Sequence, residues 1–209
     1  MDRNRIPGLI PGKRHPDWQI IYEEAKEETL PWHFPQLDPD IRHELESSGT
    51  RLKILDIGCG LGHQAAFMAH LGHEVAATDI SKTAIARAKR LHKGIRFSVD
   101  DVTETTLSGK FDVAVDRGCL HVLEQGLHKK YINSVFSFLN PGGLLLLKVL
   151  STENGSADSG PVHFSQLALH RLFAEKFQIL RIQRTIYYGS TSHAPSAWFS
   201  VIRKRESHA

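Results

Sequence analysis

The residues of this chain best suited to chemistry are a glycine turn and a series of acids. Asp56, Gly58, Cys59, Gly60, Gly62 and His63 fall within the stretch Asp56-Ile57-Gly58-Cys59-Gly60-Leu61-Gly62-His63, directly after the apolar residues Ile54, Leu55 and Ile57. Glycines spaced by single residues between a strand and a helix bring bare backbone N–H groups against a nucleotide-like ligand. A Cβ there would block either a positive φ or the close approach of the ligand. The same turn also serves as plain packing in many chains. Further acids follow at Asp79, Asp101 and Asp116. Asp79, about twenty residues past the glycines, has the spacing of an acid that holds ribose hydroxyls. It also suits a position ahead of a helix N-terminus, where a negative charge is favourable on dipole grounds alone. Asp101 is placed to take the exocyclic amine of an adenine, with Ile80 and Val102 against the ring faces; its plainer reading is a solvated loop acid beside Asp100.

The elements that must position these residues follow from hydrophobic periodicity. A buried strand over 53–57 is followed by a helix over 64–71, a strand over 73–79 and a helix over 81–91 with Ser81 as N-cap. Strands follow at 95–99 and 111–115, then a helix over 126–139. Asn140-Pro141-Gly142-Gly143 reads as a strong turn before a strand over 144–150. A polar loop over 151–163, a helix over 165–174 and two strands over 179–188 and 198–204 complete the chain. Alternation of this kind builds a parallel sheet with helices on both faces. The last two strands are joined by 189–196 only, too short for a parallel crossover, so the sheet must finish in an antiparallel hairpin. The fold class is therefore α/β: a Rossmann-like, doubly wound, mostly parallel seven-stranded sheet. Its ligand belongs at the carboxyl ends of the strands, where four successive strands each deliver an acid.

Ahead of this core, residues 1–16 read as a flexible basic segment and 17–49 as a helical cover. The cover comprises a helix over 17–30, an extended Leu30-Pro31-Trp32-His33-Phe34-Pro35 set by its prolines, and a second helix opening at Asp38-Pro39. Residues 50–209 form the core domain.

Bulk properties exclude several classes. With 209 residues and 41% hydrophobic content, one domain with a full core is expected. A net charge of +3 is too mild to argue for nucleic acid. Thirteen histidines include no pair in metal-ligand spacing with a cysteine or acid on one element, so no metal site is expected. Two cysteines make no disulfide framework and suit a reducing cytoplasm. Neither Cys59 nor Cys119 has a neighbour suited to lowering a thiol pKa, which disfavours a nucleophilic pair. The longest apolar run, Leu144 to Leu147, meets Lys148, and the N-terminus lacks the apolar core of a signal peptide.

Together, the Asp-x-Gly-Cys-Gly-x-Gly turn, Asp79, Asp101-Val102 and the antiparallel ending resemble a class I S-adenosylmethionine-dependent methyltransferase. Pro31-Trp32 and Asp116-Arg117-Gly118-Cys119-Leu120-His121 resemble one branch of it, the thiopurine, thiol/halide and tellurite-resistance methyltransferases of small molecules. That branch usually carries Pro-Trp-Asp-x-Gly where this chain has Pro31-Trp32-His33-Phe34-Pro35, which places the lid contacts and the substrate in question. The resemblance implies S-adenosylmethionine as cofactor and methyl transfer to a small-molecule sulfur, selenium/tellurium or oxygen nucleophile. Asp56, Gly58, Cys59, Gly60, Gly62, His63, Asp79, Ile80, Asp101, Val102 and Asp116 are then the cofactor residues. Trp32 is expected over the methionine portion or the sulfonium. On the acceptor side Arg117 would hold an anionic acceptor and His121 would take a proton; equally, Arg117 could pair with a cofactor carboxylate or an internal acid and His121 cap a helix. The alternatives are a nucleic-acid or protein methyltransferase of the same fold, or a non-catalytic cofactor-binding module. The expected partners are a small substrate, with no nucleic acid and no membrane, in a monomer or weak homodimer.

Overall fold

Ile54, Leu55 and Ile57 form the central strand, β1 (Lys53–Ile57), and all three are buried. The structure, a computed structural model, describes residues 17–155, 160–190 and 194–206. The expected flexible segment 1–16 lies outside them. Around β1 lie β2 (Glu74–Asp79), β3 (Arg96–Val99), β4 (Phe111–Arg117), β5 (Leu139–Leu150), β6 (Phe177–Ile186) and β7 (Ser196–Lys204), in the order β3-β2-β1-β4-β5-β7-β6. The pairs among β1 to β5 are parallel, and β7 runs antiparallel to both β5 and β6. The expected mostly parallel sheet with an antiparallel end is the one found. Strand order reverses between β1 and β4, where Ile57 lies beside Thr78 on one side and Asp116 on the other.

Among the described residues six α-helices accompany the sheet: α1 (Trp18–Glu24), α2 (Pro39–Glu46), α3 (His63–His70), α4 (Lys82–Leu91), α5 (His128–Phe138) and α6 (Gln166–Phe173). Alternate residues of β1 serve opposite faces. Ile54 joins a core with Ile41 and Leu45 of α2, Met68 of α3 and Ile85 of α4. Leu55 and Ile57 join one with Tyr131 and Val135 of α5 and Leu169 and Phe173 of α6. Cover residues Ile21, Tyr22 and Leu30 make a third cluster with Leu61 of the glycine turn and Ala84 of α4. Ile21 and Leu30 each stabilise the docked cover by about 1.5–3 kcal/mol relative to exposure.

Two elements depart from expectation. The helix expected over 17–30 stops at Glu24; Ala25 and Lys26 are extended, and a 3-10 turn follows at Glu27–Thr29. A continuous helix would stack Glu23 on Glu27 and Glu24 on Glu28, both like-charge pairs four residues apart. Arg87 of α4 instead donates to the freed carbonyls of Tyr22 (2.9 Å) and Ala25 (3.1 Å). The turn at 140–143 lies inside β5 rather than ahead of it. Pairing with β4 runs Phe111 to Leu139 and resumes at Val113 to Leu144, so the turn loops out of a continuing ladder. Asn140 Nδ2 anchors it on Asp112 Oδ1 at 2.9 Å.

Candidate active site

The glycine turn lies at the carboxyl end of β1 with Gly58, Gly60 and Gly62 at φ of 67°, 54° and 80°. At Gly60 the need for glycine is twofold: the φ is left-handed, and a Cβ would lie 2.6 Å from the hydroxyl oxygen of Tyr22. The cover thus reaches directly onto the turn. Asp79, closing β2, accepts from Gly60 N (2.8 Å) through Oδ2 and from Ser81 N (2.9 Å) through Oδ1. One acid thereby fixes both the glycine turn and the start of α4, whose N-cap Ser81 accepts from Ala84 N at 3.1 Å. Beside it Ile80 is 52% exposed, an apolar side chain facing open space at a strand end. Val102 is buried, and Asp101 Oδ1 accepts from Thr103 N (2.8 Å) and Thr103 Oγ1 (2.7 Å).

Asp56 is buried, and its Oδ2 has no hydrogen-bond partner among the described residues. Burial, with repulsion from the Asp116 and Asp79 carboxylates, pushes its pKa up to about 7. Burial raises Asp79 as well, against the amides of Ser81 and Gly60. An orphaned carboxylate oxygen among raised acids is a site short of positive charge. S-adenosylmethionine, with an ammonium and a sulfonium, fits that need.

Asp116 closes β4 differently. Its Oδ1 accepts from Gly118 N (2.9 Å) and Cys119 N (2.7 Å), and its Oδ2 from Leu120 N (2.9 Å) and Tyr131 Oη (2.6 Å). Burial lifts it to about 6 in spite of these donors. With four protein donors it builds the turn after β4, whereas the sequence reading has it touching cofactor. Cys59 and Cys119 are free thiols pushed up by burial and by nearby carboxylates, so neither has thiolate character.

Of the two residues expected on the acceptor side, Arg117 is drawn into contacts with the cover and His121 is not. Arg117 donates to Asp38 Oδ2 (2.9 Å), to Trp32 O (3.2 Å) and to Tyr188 O, and lies over the Tyr187 ring at 4.8 Å. It pairs with an internal acid, one of the roles open to it from sequence beside an acceptor anion and a cofactor carboxylate. Trp32 is half-buried and meets Trp18 and Tyr22 edge-on at 5.7 and 6.3 Å between ring centres. His63 turns toward the cover, with Nε2 2.7 Å from Glu27 Oε1. Burial lowers its pKa, opposed by Glu27. His121 is buried between the strand ends. Its Nδ1 accepts from Leu150 N at 3.2 Å, and burial, with His163 and Arg117, lowers its pKa to about 3. Gly118 must be glycine beside it: φ is 106°, and a Cβ would lie 3.0 Å from His121 Nε2 and collide with the Tyr187 hydroxyl.

Two features escaped the sequence. Lys148, which read as the residue ending an apolar run, is fully buried with Asp38 at 2.7 Å and Asp40 at 2.7 Å. With Arg117 these make a charge-balanced set of two acids and two bases, extended by Thr185 Oγ1 (2.8 Å) and Gln183 Nε2 (3.0 Å) on Asp40. Burial raises the Asp40 carboxyl, but Lys148 outweighs it, with Thr185 and Gln183, and holds it below the usual range. Second, Glu27, His33 and His63 converge from three separate segments. Local spacing carries no signal for either group, because their members are scattered along the chain.

Residues 54–143 match a family model described as "Methyltransferase domain". The chain is 26% identical over 167 residues to 2-heptyl-1-hydroxyquinolin-4(1H)-one methyltransferase of Mycobacteroides abscessus, covering 77% of this chain and 74% of that one. It is 28% identical to thiocyanate methyltransferase 1 of Arabidopsis thaliana over 62% of this chain and 59% of the relative. Among solved structures, a SAM-dependent methyltransferase of Methanosarcina mazei shares the fold, with a TM-score of 0.71 and 21% identity over 82% of this chain and all (100%) of that one. No described helix is long and apolar enough to cross a membrane. A candidate site short of positive charge, at the switch point of a sheet with this order and an antiparallel end, thus lies on a chain that carries a methyltransferase domain over residues 54–143 and is similar to S-adenosylmethionine-dependent methyltransferases.

Proposed function

We propose that the chain methylates a small molecule whose accepting atom arrives ionised or nearly so: a thiol, a selenium or tellurium anion, or an acidic hydroxyl. The observation that carries this reading is the state of His121. The amide of Leu150 donates to Nδ1, so the ring hydrogen sits on Nε2, and a pKa near 3 keeps the ring neutral. A ring in that state donates a hydrogen bond from Nε2; it does not take a proton. Tyr187, donating to Arg117 O, is raised to about 12 by burial and offers no base either. Asp116 is held by four donors. An acceptor that needs no deprotonation suits such a site, and the relatives named for a hydroxyquinolinone and for thiocyanate support the same class.

When bound, S-adenosylmethionine supplies an electrophilic methyl group on sulfur. The glycine turn, without Cβ atoms, lets the backbone approach it closely, Asp56 Oδ2 offers an unpaired acceptor to its cationic groups, and Asp79 and Asp101 lie at the strand ends for the ribose and the base. Ile80 and Val102 provide apolar surface for the ring. Cys59 Sγ lies 3.8 Å from Gly60 O and packs within the turn. The cover, through Trp32 and Tyr22, excludes water from the turn, so that donor and acceptor meet in a dry site at fixed geometry. Arg117 holds that cover to the end of β4 and acts as a positioning residue.

The test is turnover of the purified protein with S-adenosylmethionine and a panel of thiols and alcohols graded in pKa. Rates should follow the ionised fraction, and His121→Asn should lose tenfold or less. Equal rates on weakly acidic alcohols, or a loss of about 10²–10⁴ in His121→Asn as expected of a general base, would sink the reading.

A further inference from the structure

Glu27 sits on the 3-10 turn of the cover, His33 just past the Pro31-Trp32 step, and His63 on the first residue of α3, immediately after the glycine turn. Each offers one ligand atom, and the three atoms lie within 4.8 Å of one another. His33 Nδ1 is 3.7 Å from Glu27 Oε1 and His63 Nε2 is 2.7 Å from it. The two imidazoles stand edge to face, 5.4 Å between centres at 80°, so their ring nitrogens converge without the rings stacking. His63 Nε2 is buried, and in spite of its closeness to Glu27 it lacks the direction of a hydrogen bond. Behind it, the ring of His92 packs at 5.0 Å and supports its orientation.

We propose that Glu27, His33 and His63 form a binding site for a divalent transition metal of the zinc class, which ties the cover to the head of α3. Two imidazoles and one carboxylate are a nitrogen and oxygen set that suits zinc, with the fourth position left to water. Around a tetrahedral ion with bonds of about 2.0–2.1 Å the ligand atoms stand roughly 3.3 Å apart. The 2.7 Å His63–Glu27 distance must therefore open by about 0.6 Å and the 3.7 Å His33–Glu27 distance close by about 0.4 Å. Glu27, on a partly exposed turn, has the freedom to do so. The three ligands bracket Trp32 and the glycine turn, so the metal would hold closed the part of the cover that lies over the cofactor. Its role is a tether; none of the three residues is assigned to the methyl transfer by this site.

The experiment uses the full chain with Zn²⁺ alone, in the absence of cofactor and acceptor, so its outcome is independent of the acceptor reading. Calorimetry should show saturable binding at one ion per chain in the micromolar range or tighter, weakened at least tenfold in both Glu27→Gln and His33→Ala. Zn²⁺ should also slow tryptic cleavage after Lys26, which lies exposed beside Glu27, in the wild-type chain and not in His33→Ala. Glu27→Gln is nearly isosteric and keeps the test valid if His33→Ala fails to fold. Absence of micromolar binding, binding of equal strength in the folded variants, or binding that leaves cleavage after Lys26 unchanged would overturn the proposal.

Discussion

The two halves of the site are built on opposite plans. At the β1–β2 edge the polar groups come from nearby in sequence: Asp79 and Gly60, joined by a hydrogen bond, are 19 residues apart. One of its acids, Asp56, keeps an unpartnered oxygen. At the β4–β5 edge the groups come from far apart, with Lys148 and Asp38 separated by 110 residues, and Asp38, Asp40, Arg117 and Lys148 all have ionic partners. The first half is left short of positive charge and suits a cationic ligand. The second is balanced within the protein, and its charges fasten α2 and the late hairpin to the sheet. A half that stores an unmet need, proposed here to take the cofactor, and a half whose charges are already neutralised call for different experiments.

The largest effect should come from the balanced half. Lys148→Met leaves Asp38 and Asp40 with only Arg117 to compensate them, and should cost about 3–5 kcal/mol of unfolding free energy. Urea denaturation measures it. A loss under 1 kcal/mol would mean that the network is as dispensable as a surface pair.

Next comes the pH dependence, where the two halves have opposite signs. Asp56 has a folded-state pKa raised to about 7, so its contribution is fully present below the ordinary carboxylate range and is lost as pH rises through about 7. Asp40 is held below its usual range, so its contribution is present above that range and lost as pH falls through its lowered pKa. Cofactor-free protein should therefore lose stability between about pH 4 and 7, on the order of 4 kcal/mol if Asp56 acts alone. Asp56→Asn should flatten that slope and leave the acid limb in place. A slope unchanged in Asp56→Asn would assign it to Asp79 or Asp116 instead.

The smallest effect is on the paired acid of the cofactor half. Asp79→Ala should weaken S-adenosylmethionine binding by about 1–3 kcal/mol, measured by calorimetry, since it removes a charged hydrogen-bonding group and frees the Gly60 amide. An unchanged dissociation constant would remove Asp79 from the cofactor site.

Much of the first half was legible in the sequence. The turn Asp56 to His63, the strand ends at Asp79 and Asp101, and the cap at Ser81 are set by contacts within one β–α–β unit, where residue type and spacing limit the geometry. The antiparallel ending followed from a connection too short for any other course. The helix over 17–30 was misread at its end because Arg87, sixty residues on, takes the carbonyls that a helix would have used.

What the sequence by itself determined is the sheet, its switch point and the glycine turn set there, all consequences of local periodicity and chain connectivity. Tertiary structure alone decided that Lys148 is a buried ion, that Arg117 grips the cover, that His121 has its Nδ1 filled by the Leu150 amide, and that Glu27, His33 and His63 meet. Each of these depends on which group from a distant part of the chain comes to lie against a polar side chain. That partner is chosen by packing in three dimensions and leaves no periodic trace along the chain.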